Sequence, residues 1–288
     1  MNFTAFGEVL FDVFEDNKKL GGAPMNVAGH LSQMGANSAI ISSVGDDEFG
    51  KEALEGIKSI NVDTKYISIV DKETGVANVS LTSKGIPTYD FNKDNAFDNI
   101  PMKNYNIDDC DVFYFGSLSQ RNDHNVEVLK SILDKDNKAI KFFDINIRKK
   151  YYQNDFIKYG FEKCNILKIN DEEVPIVAEI IGCDEAEPTV VAKLQKEYNI
   201  EIVLVTKGKL GTTLYSGDVV LNQGINDVKV VDTVGAGDSF SAGFLNSYFN
   251  KDSLAESLKR GSLLADYVVT QSGAIPSYSD EVKKALDI

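Results

Sequence analysis

The stretch "GGAPMNVAGHLSQMGANSAIISSVG" (residues 21–45) joins a helical pattern directly to a strand-like run. The apolar side chains of its first part fall on one stripe of a helix: Val27, Ala28, Leu31 and Met34. Its second part, "SAIISSV" (38–44), carries apolar residues on successive positions. Such a run is typical of a strand that is buried on both faces, as in a parallel sheet. The stretch therefore predicts one helix-and-strand unit of an α/β fold.

The same alternation continues through the rest of the chain. Four more runs are expected to form buried strands: residues 111–117, 140–146, 163–170 and 201–208. A second helical stripe precedes the last of these runs and consists of Val190, Val191, Leu194 and Tyr198. Alternating strands and helices imply right-handed βαβ units, and thus a doubly wound, mainly parallel sheet flanked by helices. The chain is long enough for one such domain over residues 1–288.

Residues 64–100 depart from this pattern. Between Asn78 and Thr82, polar and apolar side chains alternate with a period of two. This alternation favours half-buried antiparallel strands over a helix. Together with residues 9–20, the region predicts a small β-sheet lid appended to the main domain.

Charge and composition exclude several classes of protein. The chain has 30 Lys and Arg against 44 Asp and Glu, so it repels nucleic-acid phosphates and anionic lipid, and neither is an expected partner. Its three cysteines and two histidines are too scattered for a disulfide framework, a zinc site or a Ser-His-Asp hydrolase. We find no signal-peptide pattern and no window with the roughly 18 apolar residues of a membrane span, so a cytoplasmic location is expected.

Residues 45–52, "GDDEFGKE", have the G-x-x-x-x-G-K spacing of a phosphate-binding P-loop. Glu52, however, stands where Ser or Thr should hold magnesium. The loop also carries Asp46, Asp47 and Glu48, which would repel a triphosphate. We interpret this stretch as the start of a helix whose acidic side chains complement the helix dipole.

A better candidate for phosphate chemistry is "DTVGAGDSFSAGFLNSYF" (232–249). Gly235 and Gly237 permit a tight turn with exposed N–H groups, and aromatic residues follow at helical spacing: Phe240, Phe244 and Tyr248. A turn of this kind at a helix N-terminus is an anion cradle. Asp238 then has two interpretations. It is either a helix-start carboxylate worth about 0.3–1 kcal/mol, or a general base beside a bound phosphoryl group.

Two separate stretches resemble the signatures of the ribokinase-like (pfkB) carbohydrate kinases: residues 21–35 with Gly45 beyond them, and residues 232–243. They occur in the expected order, so the resemblance covers essentially the whole chain and implies a ribokinase-like kinase domain. In this family, the aspartate that matches Asp238 accepts the proton of a sugar hydroxyl. The matching backbone that forms an anion hole for the transferred phosphoryl group is that of Gly235, Ala236 and Gly237.

The resemblance also places the sugar near the N-terminus. The residues that match Asp12 and Asn26 bind sugar hydroxyls in this family, and the glycine that matches Gly22 lets the backbone approach closely. From the residues alone, the favoured interpretations are a solvated loop acid for Asp12 and a polar residue at a helix start for Asn26. Pro24 suits the first turn of that helix.

Two details resemble fructokinases more than ribokinases: "GAPMN" (22–26) and "DINIR" (144–148). The second implies that Arg148 supplies a cation near the phosphates or the sugar, although a surface salt bridge is the alternative. One departure concerns the lid, because Asn92 and Lys93 stand where many fructokinases have an arginine near the sugar.

Two further motifs match the family's metal and nucleotide sites. "KINDEE" (168–173) contains Asn170 and Glu173, an N-x-x-E arrangement that organises Mg²⁺, often through water. The same spacing also fits a helix capping arrangement. "VTKGKLG" (205–211) resembles the nucleotide loop, whose candidates for phosphate and ribose contacts are Thr206, Lys207 and Gly208. The family often uses a monovalent cation such as K⁺ beside the anion hole, to which Asp232 and Thr233 could contribute.

The predicted function is an ATP- and Mg²⁺-dependent sugar kinase, with fructose as the first candidate substrate and 2-keto-3-deoxygluconate or ribose as the alternatives. A non-catalytic sugar-binding regulator with this fold is a second class. A dinucleotide oxidoreductase is disfavoured because no G-x-G-x-x-G follows the first strand. The lid sheet also predicts a homodimer, since an exposed sheet surface tends to be covered.

Overall fold

The computed structural model describes residues 1–14, 17–81, 87–135, 138–148 and 151–288. The strands within these residues are β1 (Asn2–Phe6), β2 (Leu10–Phe14), β3 (Asn17–Gly21), β4 (Asn37–Gly45), β5 (Ile67–Val70), β6 (Gly75–Leu81), β7 (Pro87–Phe91), β8 (Val112–Phe115), β9 (Ile140–Asp144), β10 (Ile166–Asn170), β11 (Ile202–Thr206), β12 (Thr212–Ser216) and β13 (Val219–Gln223). The α-helices are α1 (Ala23–Gln33), α2 (Glu48–Ser59), α3 (Asp123–Leu133), α4 (Asn154–Lys163), α5 (Val174–Ile181), α6 (Glu187–Tyr198), α7 (Ala236–Phe249), α8 (Leu254–Val268) and α9 (Asp280–Leu286).

A large sheet with the strand order β13-β12-β11-β10-β9-β8-β1-β4-β5 forms the body of the protein. The strands from β11 to β5 run parallel, whereas β12 and β13 pair antiparallel at one edge. The five strands predicted from apolar runs are confirmed as β4, β8, β9, β10 and β11, and the two predicted helices as α1 and α6. The doubly wound, mainly parallel α/β fold is therefore confirmed.

Successive residues of the central strands point to opposite faces, which creates two apolar cores. On β8, for example, Phe113 and Phe115 pack in one core, and Val112 and Tyr114 pack in the other. The first core is covered by α3, α4, α5 and α6, and the second by α1, α2, α7, α8 and α9. Burial on both faces explains why these strands are almost continuously apolar in sequence.

A separate small sheet has the order β3-β2-β6-β7. Its two hairpins are antiparallel, as expected, but β2 and β6 pair in parallel where the hairpins meet. Ile67–Val70, inside the range 64–100 expected for the lid, instead joins the edge of the large sheet as β5. Thr82, used in predicting this sheet, lies outside the described residues. Beneath the small sheet, a third apolar cluster includes Leu10, Phe91 and Leu118.

The stretch that mimics a P-loop begins α2, as expected. Asp47 is the residue before the helix, and its carboxylate accepts a hydrogen bond of 2.6 Å from the Gly50 N–H. The second carboxylate oxygen accepts from the N–H of Thr74. The Asp47 carboxylate therefore takes the backbone donors that a P-loop would offer to a phosphate. Within the described part of the chain, we find no helix with the length and apolar character needed to cross a bilayer.

Candidate active site

A cleft of about 580 Å³ opens between the carboxyl ends of the parallel strands and the small sheet. Open α/β sheets bind ligands at this edge. Most of the predicted site residues line it: Asp12, Gly22, Asn26, Arg148, Asn170, Glu173, Thr206, Gly235, Gly237 and Asp238. The structure does not place Ala236, Lys207 or Gly208 on the wall of this cleft. Another cavity, of about 710 Å³, lies at the amino ends of β1 and β4, but none of the predicted site residues lines it.

The turn before α7 exposes backbone donors to the cleft. Gly235 has φ +79°, and a Cβ at this position would lie 2.7 Å from the Ala274 Cα, so only glycine fits. The N–H of Ala236 donates to the Thr233 carbonyl at 3.3 Å. The N–H groups of Gly237 and Asp238 have no protein acceptor within the described residues. These two donors, together with the positive end of the helix dipole, form a site suited to an anion.

Asp238 lies in the first turn of α7 and faces this same cleft. Its Oδ2 accepts a hydrogen bond of 2.7 Å from the Nδ2 of Asn26 on α1. Burial raises the pKa of Asp238, whereas the Asn26 hydrogen bond and the charges of Lys168 and Arg148 lower it. Both interpretations from the sequence are geometrically compatible, because the carboxylate is at a helix start and also faces the cleft.

Three acids and one arginine surround the end of the cleft next to α1. Asp12 on β2 is half-buried, and desolvation raises its pKa to about 6 although Arg148 and Lys19 act against this rise. Glu8 follows β1, is buried, and has a pKa raised to about 7 by desolvation. The charge of Arg148 lowers the pKa of Glu8, Asp12 and Asp238 alike. Arg148 therefore lies among the cleft carboxylates, which disfavours the surface salt-bridge interpretation.

Gly22 brings Glu8 against the start of α1. Gly22 has φ +117°, and a Cβ there would lie 2.3 Å from the Glu8 carbonyl oxygen, so no larger residue fits without a shift. The backbone N–H groups of Glu8 itself and of Ala23, the first residue of α1, lower the pKa of the Glu8 carboxyl against the effect of burial. Its Oε2 is buried and has no hydrogen-bond partner among the described residues, and the same holds for the Oδ1 of Asn26. Two buried oxygens without hydrogen-bond donors, Glu8 Oε2 and Asn26 Oδ1, thus belong to residues that line the end of the cleft next to α1.

A buried ion pair supports the floor of the cleft. Lys168 Nζ on β10 lies 2.7 Å from Asp144 Oδ2 at the end of β9. The same oxygen accepts from the Tyr114 hydroxyl at 3.0 Å and from the Ser241 hydroxyl at 3.4 Å. Lys168 and Asp144 both line the cleft. The pair joins two strands of the sheet to α7.

The N-x-x-E motif forms a reciprocal pair ahead of α5. Asn170 Oδ1 accepts from the Glu173 N–H, and Glu173 Oε2 accepts from the Asn170 N–H, each at 2.9 Å. Glu173 Oε1 also accepts from the Ile147 N–H at 2.7 Å. Burial raises the pKa of Glu173 to about 7. The bonding of a capping arrangement is therefore present, while both residues still line the cleft.

The stretch predicted to be a nucleotide loop, residues 205–211, directs fewer side chains into the cleft than its sequence indicates. Thr206 lies at the end of β11 and lines the cleft. Lys207 turns away, because its Nζ lies 2.7 Å from Glu187 Oε1 and 2.9 Å from Thr213 Oγ1. Gly208 begins a short 3₁₀ turn, Gly208–Leu210.

Asp232 is bonded to protein groups on both of its oxygens. Its Oδ1 accepts from the Val234 N–H at 3.0 Å, and its Oδ2 accepts from Lys19 Nζ at 3.1 Å and from the Gly273 N–H at 3.2 Å. These bonds fix the loop before α7 to the small sheet and to the segment after α8. Within the described residues, no group of three or more acidic, cysteine or histidine side chains is arranged to hold a metal ion.

An arginine reaches the lid stretch from an unexpected element. Arg121 makes two hydrogen bonds to the Asp98 carboxylate, at 2.8 and 2.6 Å, and another of 2.7 Å to the Asn92 carbonyl. Its guanidinium lies 6.0 Å from the ring centre of Phe91, a residue of the cleft wall. The region around Asn92 and Lys93 therefore has an arginine, although not at the position that the family pattern places it.

Sequence reasoning missed Glu8, Asp144 and Lys168. Asp144 and Lys168 head the two motifs "DINIR" and "KINDEE", and each is a charged residue in or at the end of an otherwise apolar strand. A charge in such a position is costly unless it is paired, and this was the available signal. Glu8 had a weaker signal, because only the structure shows the close approach of Gly22.

Comparison with known proteins identifies the family of this chain. The family model "pfkB family carbohydrate kinase" matches residues 2–281. An ATP-dependent 6-phosphofructokinase of Thermoanaerobacterium thermosaccharolyticum is 27% identical, covering 91% of this chain and 83% of the relative. Probable fructokinase-7 of Arabidopsis thaliana is 28% identical, covering 94% of this chain and 88% of the relative.

The fold comparison gives the same result. The crystal structure of a sugar kinase from Pyrococcus horikoshii in complex with ATP is 25% identical, with a TM-score of 0.86 and coverage of 99% of both chains. The two family signatures, the cleft that they share and the match over nearly the whole length lead to one conclusion. This chain belongs to the pfkB family of carbohydrate kinases.

Proposed function

We propose that this protein is a fructokinase that transfers the γ-phosphoryl group of ATP to the 6-hydroxyl of fructose, with Asp238 as the general base. One observation carries the proposal. The Asp238 carboxylate accepts a hydrogen bond from Asn26 of α1. In the same turn of α7 as this carboxylate, the N–H groups of Gly237 and Asp238 have no protein acceptor within the described residues. A base and an anion site in one turn are suited to an in-line transfer to a hydroxyl.

The proposed reaction assigns each proton and bond. The sugar hydroxyl oxygen forms a bond to the γ-phosphorus, the bond from that phosphorus to the bridging oxygen of ADP breaks, and the hydroxyl proton passes to Asp238. A positioned base contributes about 10²- to 10⁴-fold to such a rate. Asn26 orients the carboxylate through its 2.7 Å hydrogen bond. The N–H donors of α7 stabilise the negative charge on the equatorial oxygens of the phosphoryl group during transfer.

The nucleotide assignment rests on the ATP complex of the Pyrococcus relative and on the cleft's position at the strand ends. We propose that Thr206 contacts the nucleotide and that the backbone of Gly235, Ala236 and Gly237 forms the anion hole. Its open donor is the Gly237 N–H, next to that of Asp238, because the Ala236 N–H bonds to the Thr233 carbonyl. Lys207 and Gly208 stay predictions for the nucleotide loop, with the backbone of this loop as the contact, since the Lys207 side chain pairs with Glu187.

Asn170 and Glu173 would suit a Mg²⁺ ion whose ligands came mainly from the nucleotide and water. Both Glu173 oxygens already accept backbone hydrogen bonds, so the carboxylate is better placed to orient metal-bound water than to displace it. The ion would offset phosphate charge during transfer. A K⁺ site at Asp232 and Thr233 stays a prediction, in which the cation would share Asp232 with Lys19.

The end of the cleft next to α1, where we place the sugar that accepts the phosphoryl group, favours a neutral sugar. Glu8, Asp12 and Asp238 meet there, and Arg148 supplies positive charge among them. A phosphorylated sugar, as the name of the Thermoanaerobacterium relative implies for that enzyme, would add two negative charges beside three acidic side chains whose own ionisation burial already disfavours. 2-Keto-3-deoxygluconate would add one. Ribose, like fructose, is neutral and remains the alternative that charge does not distinguish.

A non-catalytic sugar-binding regulator is the second candidate class. Such a protein would have no need for a carboxylate beside unfilled anion donors. We further propose that the small sheet closes as the lid of a single domain and excludes water from the phosphoryl group. A homodimer through this sheet and a cytoplasmic location stay predictions.

The test is a phosphorylation assay with ATP and Mg²⁺ across fructose, fructose 6-phosphate, ribose and 2-keto-3-deoxygluconate. We expect the highest kcat/KM for fructose. Turnover of ribose alone would contradict the fructose assignment only, and turnover of fructose 6-phosphate alone would contradict the charge argument. Tight sugar binding without any turnover would instead favour the regulator.

A further inference from the structure

Lys168 is a buried cation in the cleft that the proposed roles above do not use. Its side chain is 8% exposed and that of its partner Asp144 is 2% exposed. The ammonium group has three N–H donors, and Asp144 Oδ2, at 2.7 Å, is the acceptor that the described residues provide. A buried ammonium with one strong bond retains the capacity to bind a second acceptor.

The position of this ammonium is close to the α7 turn. A Cβ placed on Gly237 would lie 3.4 Å from Lys168 Nζ. The ammonium is therefore next to the backbone whose N–H groups face the cleft, and its charge also acts on Asp238, whose pKa it lowers. An anion bound at the α7 donors would meet Lys168 on one side.

Asp144 holds the ammonium in this position. Its Oδ2 accepts from Lys168, from the Tyr114 hydroxyl and from the Ser241 hydroxyl, and the last of these is on α7 itself. Lys168 is on β10 and Asp144 ends β9, so both partners are on adjacent strands of the sheet. Rigid placement of a charge in a site with little water is what makes it effective on a transition state.

From this geometry we propose that Lys168 is a catalytic residue, whose ammonium binds an equatorial oxygen of the phosphoryl group during transfer, and that Asp144 is its positioning residue. Lys168 keeps its protons throughout, while the hydroxyl proton goes to Asp238. This assignment rests on the proposed function for the location of the phosphoryl group at α7. The competing explanation is that Lys168 only neutralises Asp144 in the core.

The experiment separates the two explanations by comparing a variant that lacks only the Lys168 charge with one that lacks both charges of the pair. Lys168→Met alone leaves Asp144 buried and uncompensated, so a loss of activity in this variant also reflects instability. Lys168→Met with Asp144→Asn removes both charges and restores the balance. We expect the double variant to melt near the wild-type temperature but to lose kcat by about 10²- to 10³-fold, the usual effect of removing one such donor. Sugar KM should change less than about threefold.

A matched control uses the same substitutions at an exposed ion pair. Lys163 Nζ lies 2.6 Å from Asp134 Oδ1, remote from the cleft. Lys163→Met with Asp134→Asn should leave kcat unchanged. If the Lys168 and Asp144 double variant regains turnover to within about threefold of wild type, the purely structural role is correct and the proposal fails.

A binding measurement keeps the test independent of the acceptor sugar. ADP with MgCl₂ and aluminium fluoride imitates the nucleotide with a phosphoryl group in transfer, and its affinity is compared with that of ADP and MgCl₂ alone. We expect aluminium fluoride to increase the affinity of the wild type for ADP. This increase should be at least tenfold smaller in the double variant. An equal gain in both proteins would overturn the role of Lys168. If no sugar of the panel is phosphorylated but the gain is present and depends on Lys168, then the substrate assignment fails and this inference stands.

Discussion

Two helices begin at the same cleft, and their N-termini are occupied in opposite ways. Gly22 precedes α1 and Gly235 precedes α7, both with positive φ, and neither helix has a side-chain cap. At α1, the buried Glu8 carboxyl lies near the first N–H of the helix, that of Ala23, which lowers its pKa. At α7, two N–H groups have no acceptor in the part of the chain that the structure describes.

The difference assigns the two ends of the cleft to different ligands. Helix N-termini attract anions through unfilled N–H groups and the helix dipole. The N-terminus of α1 already holds an internal carboxylate, so it offers little to a second anion, and a neutral hydroxyl compound fits there. The N-terminus of α7 remains open to a phosphoryl group. Asn26, on α1, and Asp238, on α7, then connect the two ends by one hydrogen bond.

The largest effect is expected from Asp238→Asn, which removes the base but keeps the side-chain size and one oxygen. Turnover should fall by ~10³- to 10⁴-fold, the upper part of the range for a positioned base. Sugar affinity, measured by calorimetry, should stay within about threefold, because α1 still forms its end of the cleft. A variant that keeps more than a tenth of wild-type turnover would break the assignment of α7 to the reacting group.

A smaller loss is expected from Gly237→Val. The added Cβ would lie 3.4 Å from Lys168 Nζ, and the branched side chain would obstruct the open donors of α7. We expect kcat to fall by ~10²-fold with little change in sugar KM, as for the loss of one transition-state donor. Gly224→Val is the control, because a Cβ there meets no atom within 4 Å. Equal losses in kcat and sugar affinity would show that the phosphoryl group and the sugar are not bound separately at the starts of α7 and α1.

A moderate effect at the other helix is expected from Glu8→Gln. The amide keeps the shape and one oxygen of the side chain but cannot ionise, so above pH 7, where the Glu8 carboxyl is mostly charged, the substitution removes a charge that opposes an anion. Inhibition by fructose 6-phosphate should strengthen about tenfold, equivalent to about 1.4 kcal/mol, while fructose KM changes less. Glu55→Gln, at an exposed position on α2, is the matched control. Unchanged inhibition would mean that the Glu8 charge does not select the acceptor.

The smallest effect is a displacement of the pH profile. Asp238 acts as a base only when it is ionised, so kcat falls as the pH decreases through its pKa, which burial raises above the ordinary value. The Asn26 hydrogen bond favours the ionised form and lowers this pKa. In Asn26→Ala the acid limb of kcat should therefore move to higher pH. A limb that moves to lower pH, or that stays in place, would contradict the connection between the two helices.

Much of the fold was predictable because burial leaves a direct mark on sequence. Strands covered on both faces must be apolar at nearly every position, and β4, β8, β9, β10 and β11 show this pattern. The parallel pairing of β2 with β6 was not predictable, because alternation of polar and apolar residues indicates a half-buried strand but not its neighbour. The same limit explains why β5, inside the expected lid range, joined the large sheet instead.

The site was predictable where a backbone constraint or a family pattern marks it. Gly22 and Gly235 must be glycine for steric reasons, and both were found. Lys207 was expected at the phosphates, but its side chain pairs with Glu187, a contact between positions 20 residues apart that no local pattern contains. Lys168 and Asp144 were not predicted as site residues for a related reason. Their roles depend on the pairing of β9 with β10 and on the approach of α7.

The hydrogen bond between Asn26 and Asp238 joins positions that are 212 residues apart in the chain. During synthesis, the N-terminal part of a chain is made and begins to fold first, and contacts of such long range form late. Asp238, the proposed base, therefore acquires its hydrogen-bond partner only when the last quarter of the protein packs against the first. A nascent chain that ends before Asp238 lacks this pair, so under the proposed mechanism it would not phosphorylate a sugar.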